Sequence, residues 1–130
     1  MTEIDALVVE DDPKLGIIYQ TALNRFGFNA EVDDTGLNFK KRLANPMPDL
    51  VILDLHLPYA TGKDILEMIR ADENWKNAIV IIVTADLVLG KNLNNQADYV
   101  LIKPVSVNQI KRIIIKHWPD RIPPDPDDEA

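Results

Sequence analysis

A chain of 130 residues with a net charge of −7 and no cysteine is one ordinary domain's worth of sequence, with no disulfide framework and no thiol chemistry. Its charge argues against nonspecific nucleic-acid binding, which sets clustered Lys and Arg against phosphate. The longest wholly apolar run, residues 78–83, is far too short to span a bilayer, and the N-terminus lacks the basic and apolar regions of a signal peptide. A cytoplasmic soluble protein is expected.

Ala6-Leu7-Val8-Val9 is a short apolar run closed by Glu10-Asp11-Asp12, which predicts a buried strand of a parallel sheet. Asp12 offers an N-cap and Pro13 a first helical position. The helix behind them keeps Leu15, Ile18, Tyr19, Ala22, Leu23 and Phe26 on one face and ends at Gly27. Residues 28–32, poorer in apolar side chains, predict a second strand nearer an edge. Thr35 can cap a second helix over residues 35–44, and Pro46-Met47-Pro48 turns into the third strand, Leu50-Val51-Ile52-Leu53, closed by Asp54.

Thr61 and Asp64 resemble a capping box around a helix over residues 62–71. Trp75 is expected to cover the core edge before a fourth strand, residues 78–83, that ends at Thr84-Ala85. Beyond it, Leu87-Val88-Leu89 and Leu93 allow only a short helix, interrupted by Gly90. The fifth strand, Tyr99-Val100-Leu101-Ile102, ends at Lys103-Pro104. Ser106 and Gln109 pair as caps for a last helix with Val107, Ile110, Ile113, Ile114 and Trp118 on its apolar side. Residues 1–118 form one domain in this reading. Residues 119–130, acidic and proline-rich, cannot build a core and read as a disordered tail or the start of a linker.

Strands and helices that alternate five times predict an α/β fold, a parallel sheet with helices on both faces. Reactive sites of such sheets lie beyond the carboxyl ends of the strands. Glu10, Asp11 and Asp54 would converge there, and like charges at short range must protonate, separate or bind a cation. Hard oxygen ligands with no Cys and little His favour magnesium. Two further strand ends add the Thr84 hydroxyl and the Lys103 ammonium. Taken alone, Asp54 could equally cap the following turn, Lys103 could be an ordinary strand-end lysine and Thr84 an exposed threonine. Together they favour a carboxylate that attacks phosphorus, with a metal and an ammonium beside it. The His56 ring is expected to border the site without binding metal. His117 is expected to be a favourable charge near a helix C-terminus.

Five pieces of the chain, in order, resemble the receiver domain of two-component response regulators, the CheY-like superfamily. They are Val8-Val9-Glu10-Asp11-Asp12, Pro48-Asp49-Leu50-Val51-Ile52-Leu53-Asp54, Pro58 with Gly62, Val83-Thr84-Ala85, and Lys103-Pro104. The likeness covers about residues 4–118. It implies a five-stranded (βα)5 flavodoxin-like fold with strand order 2-1-3-4-5. It implies phosphorylation of Asp54 by a histidine kinase or histidine phosphotransfer protein, in a domain that catalyses only its own phosphorylation and dephosphorylation. It further implies that Asp11 and Asp54 bind Mg2+ directly, Glu10 through water, and His56 through its backbone carbonyl. Thr84 and Lys103 would meet the phosphoryl group, Lys103 would pair with Asp54 at rest, and the bond before Pro104 would be cis.

The family carries an aromatic ring three positions before the lysine. Here that position is Val100, while Tyr99, one residue earlier, should face the other way. The stretch from Thr84 to Lys103 is also shorter than usual. With no ring to swing, phosphorylation is expected to act through Thr84 and residues 86–95 on a downstream protein rather than on DNA. No fused effector domain is expected. The expected docking face is the short fourth helix, the fifth strand and the last helix, with Tyr99, Lys111 and Lys116 outward; a weak homodimer is also allowed. Two competing readings remain. A haloacid dehalogenase-like phosphohydrolase needs a second acid two residues after Asp54, where His56 stands. A flavin module needs a phosphate loop where Glu10-Asp11-Asp12 would repel phosphate.

Overall fold

The alternating pattern produces β1 (Ile4–Val9), α1 (Pro13–Arg25), β2 (Phe28–Asp33), β3 (Leu50–Asp54), α2 (Gly62–Ala71), β4 (Ile79–Thr84), α3 (Leu87–Asn92), β5 (Tyr99–Ile102), α4 (Val107–His117) and a 3-10 turn, Pro119–Arg121. The computed structural model describes residues 4–36, 48–57, 61–93 and 95–121. The helix expected over residues 35–44, Pro58 and the tail beyond residue 121 lie outside the described residues, wholly or in large part.

All strand pairs are parallel, in the order β2-β1-β3-β4-β5, the expected 2-1-3-4-5 sheet. Every residue of β3 is buried, as a central strand covered on both faces requires. β2 instead alternates buried and exposed positions, and β5 is half-buried throughout. Those two are the edges.

The side chains divide between two layers. Ala6, Val8, Leu50 and Ile52 face one side, against Tyr19, Ala22 and Leu23 of α1 and Ile110, Ile113 and Ile114 of α4. Leu7, Val9, Val51, Leu53, Val80 and Ile82 face the other, against Ile65, Leu66 and Ile69 of α2. Trp75 sits wholly inside this second layer rather than at its rim.

Local chemistry sets the helix ends. The Asp12 carboxylate accepts from the backbone N–H groups of Lys14 and Leu15, with Pro13 behind it, which satisfies donors that an α-helix leaves open. Gly27, at φ 90°, turns the chain from α1 into β2 in a conformation that favours glycine. Ser106 and Gln109 close a complete capping box on α4. At α2, Thr61 accepts from the Asp64 N–H, the Thr61 half of the expected box.

Arg70 links three segments. Its Nε donates to the Gln96 carbonyl at 2.7 Å, Nη1 to the carbonyls of Lys76 and Ala78, and Nη2 to Asp98 at 2.9 Å. Asp98 in turn accepts from the Val80 N–H at the start of β4. The guanidinium thus ties α2 to the loops that enter β4 and β5.

Candidate functional site

Register brings the strand exits together. Val9 lies beside Leu53 in the β1–β3 pair, and Leu53 lies beside Ile82 in the β3–β4 pair. The residues just past these positions therefore emerge side by side. β1 has β2 on one side and β3 on the other, so connections leave in opposite directions at β1 and β3. This switch point is where open α/β sheets place their sites.

Glu10, Asp11 and Asp54 meet there, each offering a carboxylate oxygen within 4.8 Å of the others. Glu10 is only 1% exposed and Asp54 only 4%, while Asp11 is exposed. Lys103 reaches in from the end of β5. Its Nζ donates to Glu10 Oε1 at 2.9 Å and to Asp54 Oδ2 at 3.4 Å. Lys103 thus pairs with Asp54, as expected, and more closely with Glu10. Asp54 also accepts the His56 N–H on Oδ1 at 3.1 Å, so it caps its own turn as well as facing the lysine.

Electrostatics follow from burial. Glu10 is pushed up to about 7, first by desolvation and then by the Asp54 carboxyl beside it, and Lys103 only partly offsets this. Burial alone would lower Lys103, but the bond it donates to Glu10 and the charges of Asp54 and Glu10 outweigh it and raise its pKa. The buried Tyr19 hydroxyl is raised by desolvation and by the Glu10 charge. Glu10 Oε2 has no hydrogen-bond partner. A carboxylate oxygen shut away from water asks for a proton or a cation. The cluster is therefore a hard-oxygen, over-acidic pocket to which Mg2+ is suited.

Thr84 is wholly buried rather than exposed. Its Oγ1 accepts the Asp86 N–H at 3.0 Å, and Asp86 caps α3 through the Leu89 N–H. A Cβ on Gly90 would lie 3.3 Å from Thr84 Cγ2 and 3.0 Å from Val100 Cγ1. Thr84 and α3 are therefore in direct contact through a glycine. Gly62 does the same at β3: a Cβ there would lie 2.6 Å from Leu55 Cα, so only glycine lets α2 start against the Asp54 turn. Asp12 is the α1 cap, as expected. The Lys103–Pro104 bond is cis.

Several contacts were not foreseen. His56 Nε2 lies 3.7 Å from Asp86 Oδ2 across the site mouth. The Tyr99 hydroxyl pairs with His117 Nε2 at 2.7 Å. Tyr99 is half-buried with its hydroxyl held by His117 at the surface; Lys111 is also half-buried, whereas Lys116 is exposed. Val100 packs with the α2 layer and Tyr99 with the α1–α4 layer, opposite faces as strand alternation predicts. Among the described residues no helix is long and apolar enough to cross a membrane.

A parallel sheet in this order, with an acid pocket at its switch point and a lysine opposite, defines the receiver architecture. The chain matches the response regulator receiver domain over residues 6–115, and it belongs to that family. The DNA-binding response regulator MtrA of Mycolicibacterium smegmatis is 35% identical over 108 residues, 80% of this chain and 46% of that protein. The chain spans about half the length of the curated relatives it matches. The receiver domain of a putative LuxO repressor from Vibrio parahaemolyticus superposes with a TM-score of 0.79 at 28% identity, covering 89% of this chain and 90% of that one. The response regulator TrrA of Thermotoga maritima, in complex with Mg2+ and BeF, gives 0.76 at 26% identity, covering 87% and 97%. The chain is a receiver of the two-component class, a phospho-acceptor signalling domain rather than a metabolic enzyme. The phosphohydrolase alternative finds no support in these relatives.

Proposed function

We propose that Asp54 is the phosphoryl acceptor of this receiver, taking its phosphoryl group from a phosphohistidine on a histidine kinase or phosphotransfer protein. The observation that carries this reading is a buried strand-end carboxylate with Lys103 Nζ at 3.4 Å and the oxygens of Glu10 and Asp11 within 4.8 Å. An Asp54 oxygen attacks phosphorus, the P–N bond of the donor breaks, and the imidazole leaves with the electron pair and takes up a proton. The product is an acyl phosphate on Asp54. Water later cleaves it to inorganic phosphate and restores the carboxylate. The domain catalyses both steps on itself and turns over no metabolite.

Asp11 and Asp54 would hold Mg2+ directly, with Glu10 acting through water and His56 through its backbone carbonyl. When bound, the ion offsets the negative charge of the phosphoryl oxygens. Lys103 moves from Glu10 toward the incoming phosphoryl group, a charge-assisted contact. Thr84 donates its hydroxyl to a phosphoryl oxygen while its oxygen still accepts the Asp86 N–H. Output is a changed protein contact in the cytoplasm rather than DNA binding by these residues, whose surface is acidic. The DNA-binding name is that of MtrA, of which the match covers 46%.

Intact mass after treatment with acetyl phosphate tests this. One phosphoryl group should add in the presence of Mg2+ and none after chelation, and Asp54→Ala should stay folded and unlabelled. Full labelling of that variant would refute the assignment.

A further inference from the structure

Beside the acid pocket, on the side away from Asp54, a groove of about 210 Å³ lies between the first turns of α1 and the end of β2. Pro13, Gly16, Ile17 and Val32 form its apolar walls, and Asp11 and Asp34 stand on its rim. Both acids are exposed. Ile17 is 62% exposed, its neighbour Ile18 47% and Val32 37%, so apolar surface continues outside the groove.

Gly16 is the informative residue. Glycine inside a helix costs about 1 kcal/mol relative to alanine. A Cβ here would lie 3.4 Å from Val32 Cγ1 and 4.0 Å from the Glu10 carbonyl oxygen, ordinary contact with no clash. Packing between α1 and β2 does not demand the glycine. What the missing methyl provides is open space.

Apolar walls under an acidic rim suit a hydrocarbon stem with a cationic head. The chain's net charge of −7 favours the approach of a basic surface. The exposed isoleucines and Val32 around the groove call for apolar neighbours on whatever carries the cation, so a protein surface fits better than a free polyamine. We propose that this groove seats an arginine or lysine side chain that a partner protein presents from an apolar patch.

The test is a titration of the whole chain, saturated with Mg2+, with the peptide acetyl-Leu-Arg-Leu-amide, followed by methyl NMR. The Ile17 and Val32 methyls should shift. Replacing the arginine by neutral citrulline should weaken binding about threefold, and so should Asp34→Asn, the size expected for a partly exposed ion pair. Gly16→Ala should abolish the shifts without lowering the melting temperature. If that variant melts lower, the citrulline and Asp34 comparisons still decide. Equal affinity for the citrulline peptide, shifts at Leu87 and Val88 instead, or no shift at all would overturn the proposal.

Discussion

At the scale of single residues, the site is governed by an excess of buried acid. Glu10 titrates at about 7 in the folded chain against 4.5 for the free side chain. Between those values the folded state binds more protons than the unfolded one, so stability falls as pH rises through this window. The contribution is fully present below the lower value and gone above the upper one. Its size is at most about 3 kcal/mol. In metal-free buffer the melting temperature should therefore drop between about pH 5 and about pH 8, Glu10→Gln should flatten that drop, and millimolar Mg2+ should offset it by linkage. An undiminished slope in the Glu10→Gln variant would contradict this picture. The acids themselves were legible in the sequence because each closes an apolar run. The preference of Lys103 for Glu10 was not, since it depends on how far one side chain reaches from β5 to β1 across 93 sequence positions. The Tyr99–His117 pair was hidden for the same reason: each residue has an ordinary local explanation, and only the fold puts them 2.7 Å apart.

At the scale of elements, strand positions, caps and the short α3 could be read from pattern, because apolar period and capping chemistry are local. The Arg70 clamp could not, because its partners Lys76, Ala78, Gln96 and Asp98 come from loops with no signature of their own. Arg70→Met should cost about 1–3 kcal/mol, as four bonds are lost, three of them exposed and one to the carbonyl of the buried Ala78. Chemical denaturation checks this, and labelling by acetyl phosphate under native conditions should survive. A loss under 0.5 kcal/mol, within the range of ordinary surface changes, would mean that the clamp is ornamental. Signal output belongs to this scale too. Thr84 holds the Asp86 N–H and touches the Gly90 turn, so drawing its hydroxyl toward a phosphoryl group pulls on α3 directly. Amide exchange with and without a phosphoryl mimic should change most over residues 86–95. A change confined to residues around Glu67 would break this route.

At the scale of the whole molecule, the sheet order and the acid pocket are two views of one arrangement. β1 and β3 are neighbours whose connections depart in opposite directions, and the gap so formed is where the carboxylates gather. Strand order was legible only through the family likeness, since periodicity says which residues are buried but not which strand lies beside which. The central claim is that Asp54, among three converging carboxylates, is the one that carries the phosphoryl group. Borohydride reduction of the acetyl phosphate-treated chain, followed by peptide mass spectrometry, tests it directly, because an acyl phosphate is reduced to an alcohol at the residue that bore it. The account predicts homoserine at position 54 and unmodified side chains at Glu10 and Asp11. Reduction at Glu10 or Asp11 with Asp54 intact would contradict it.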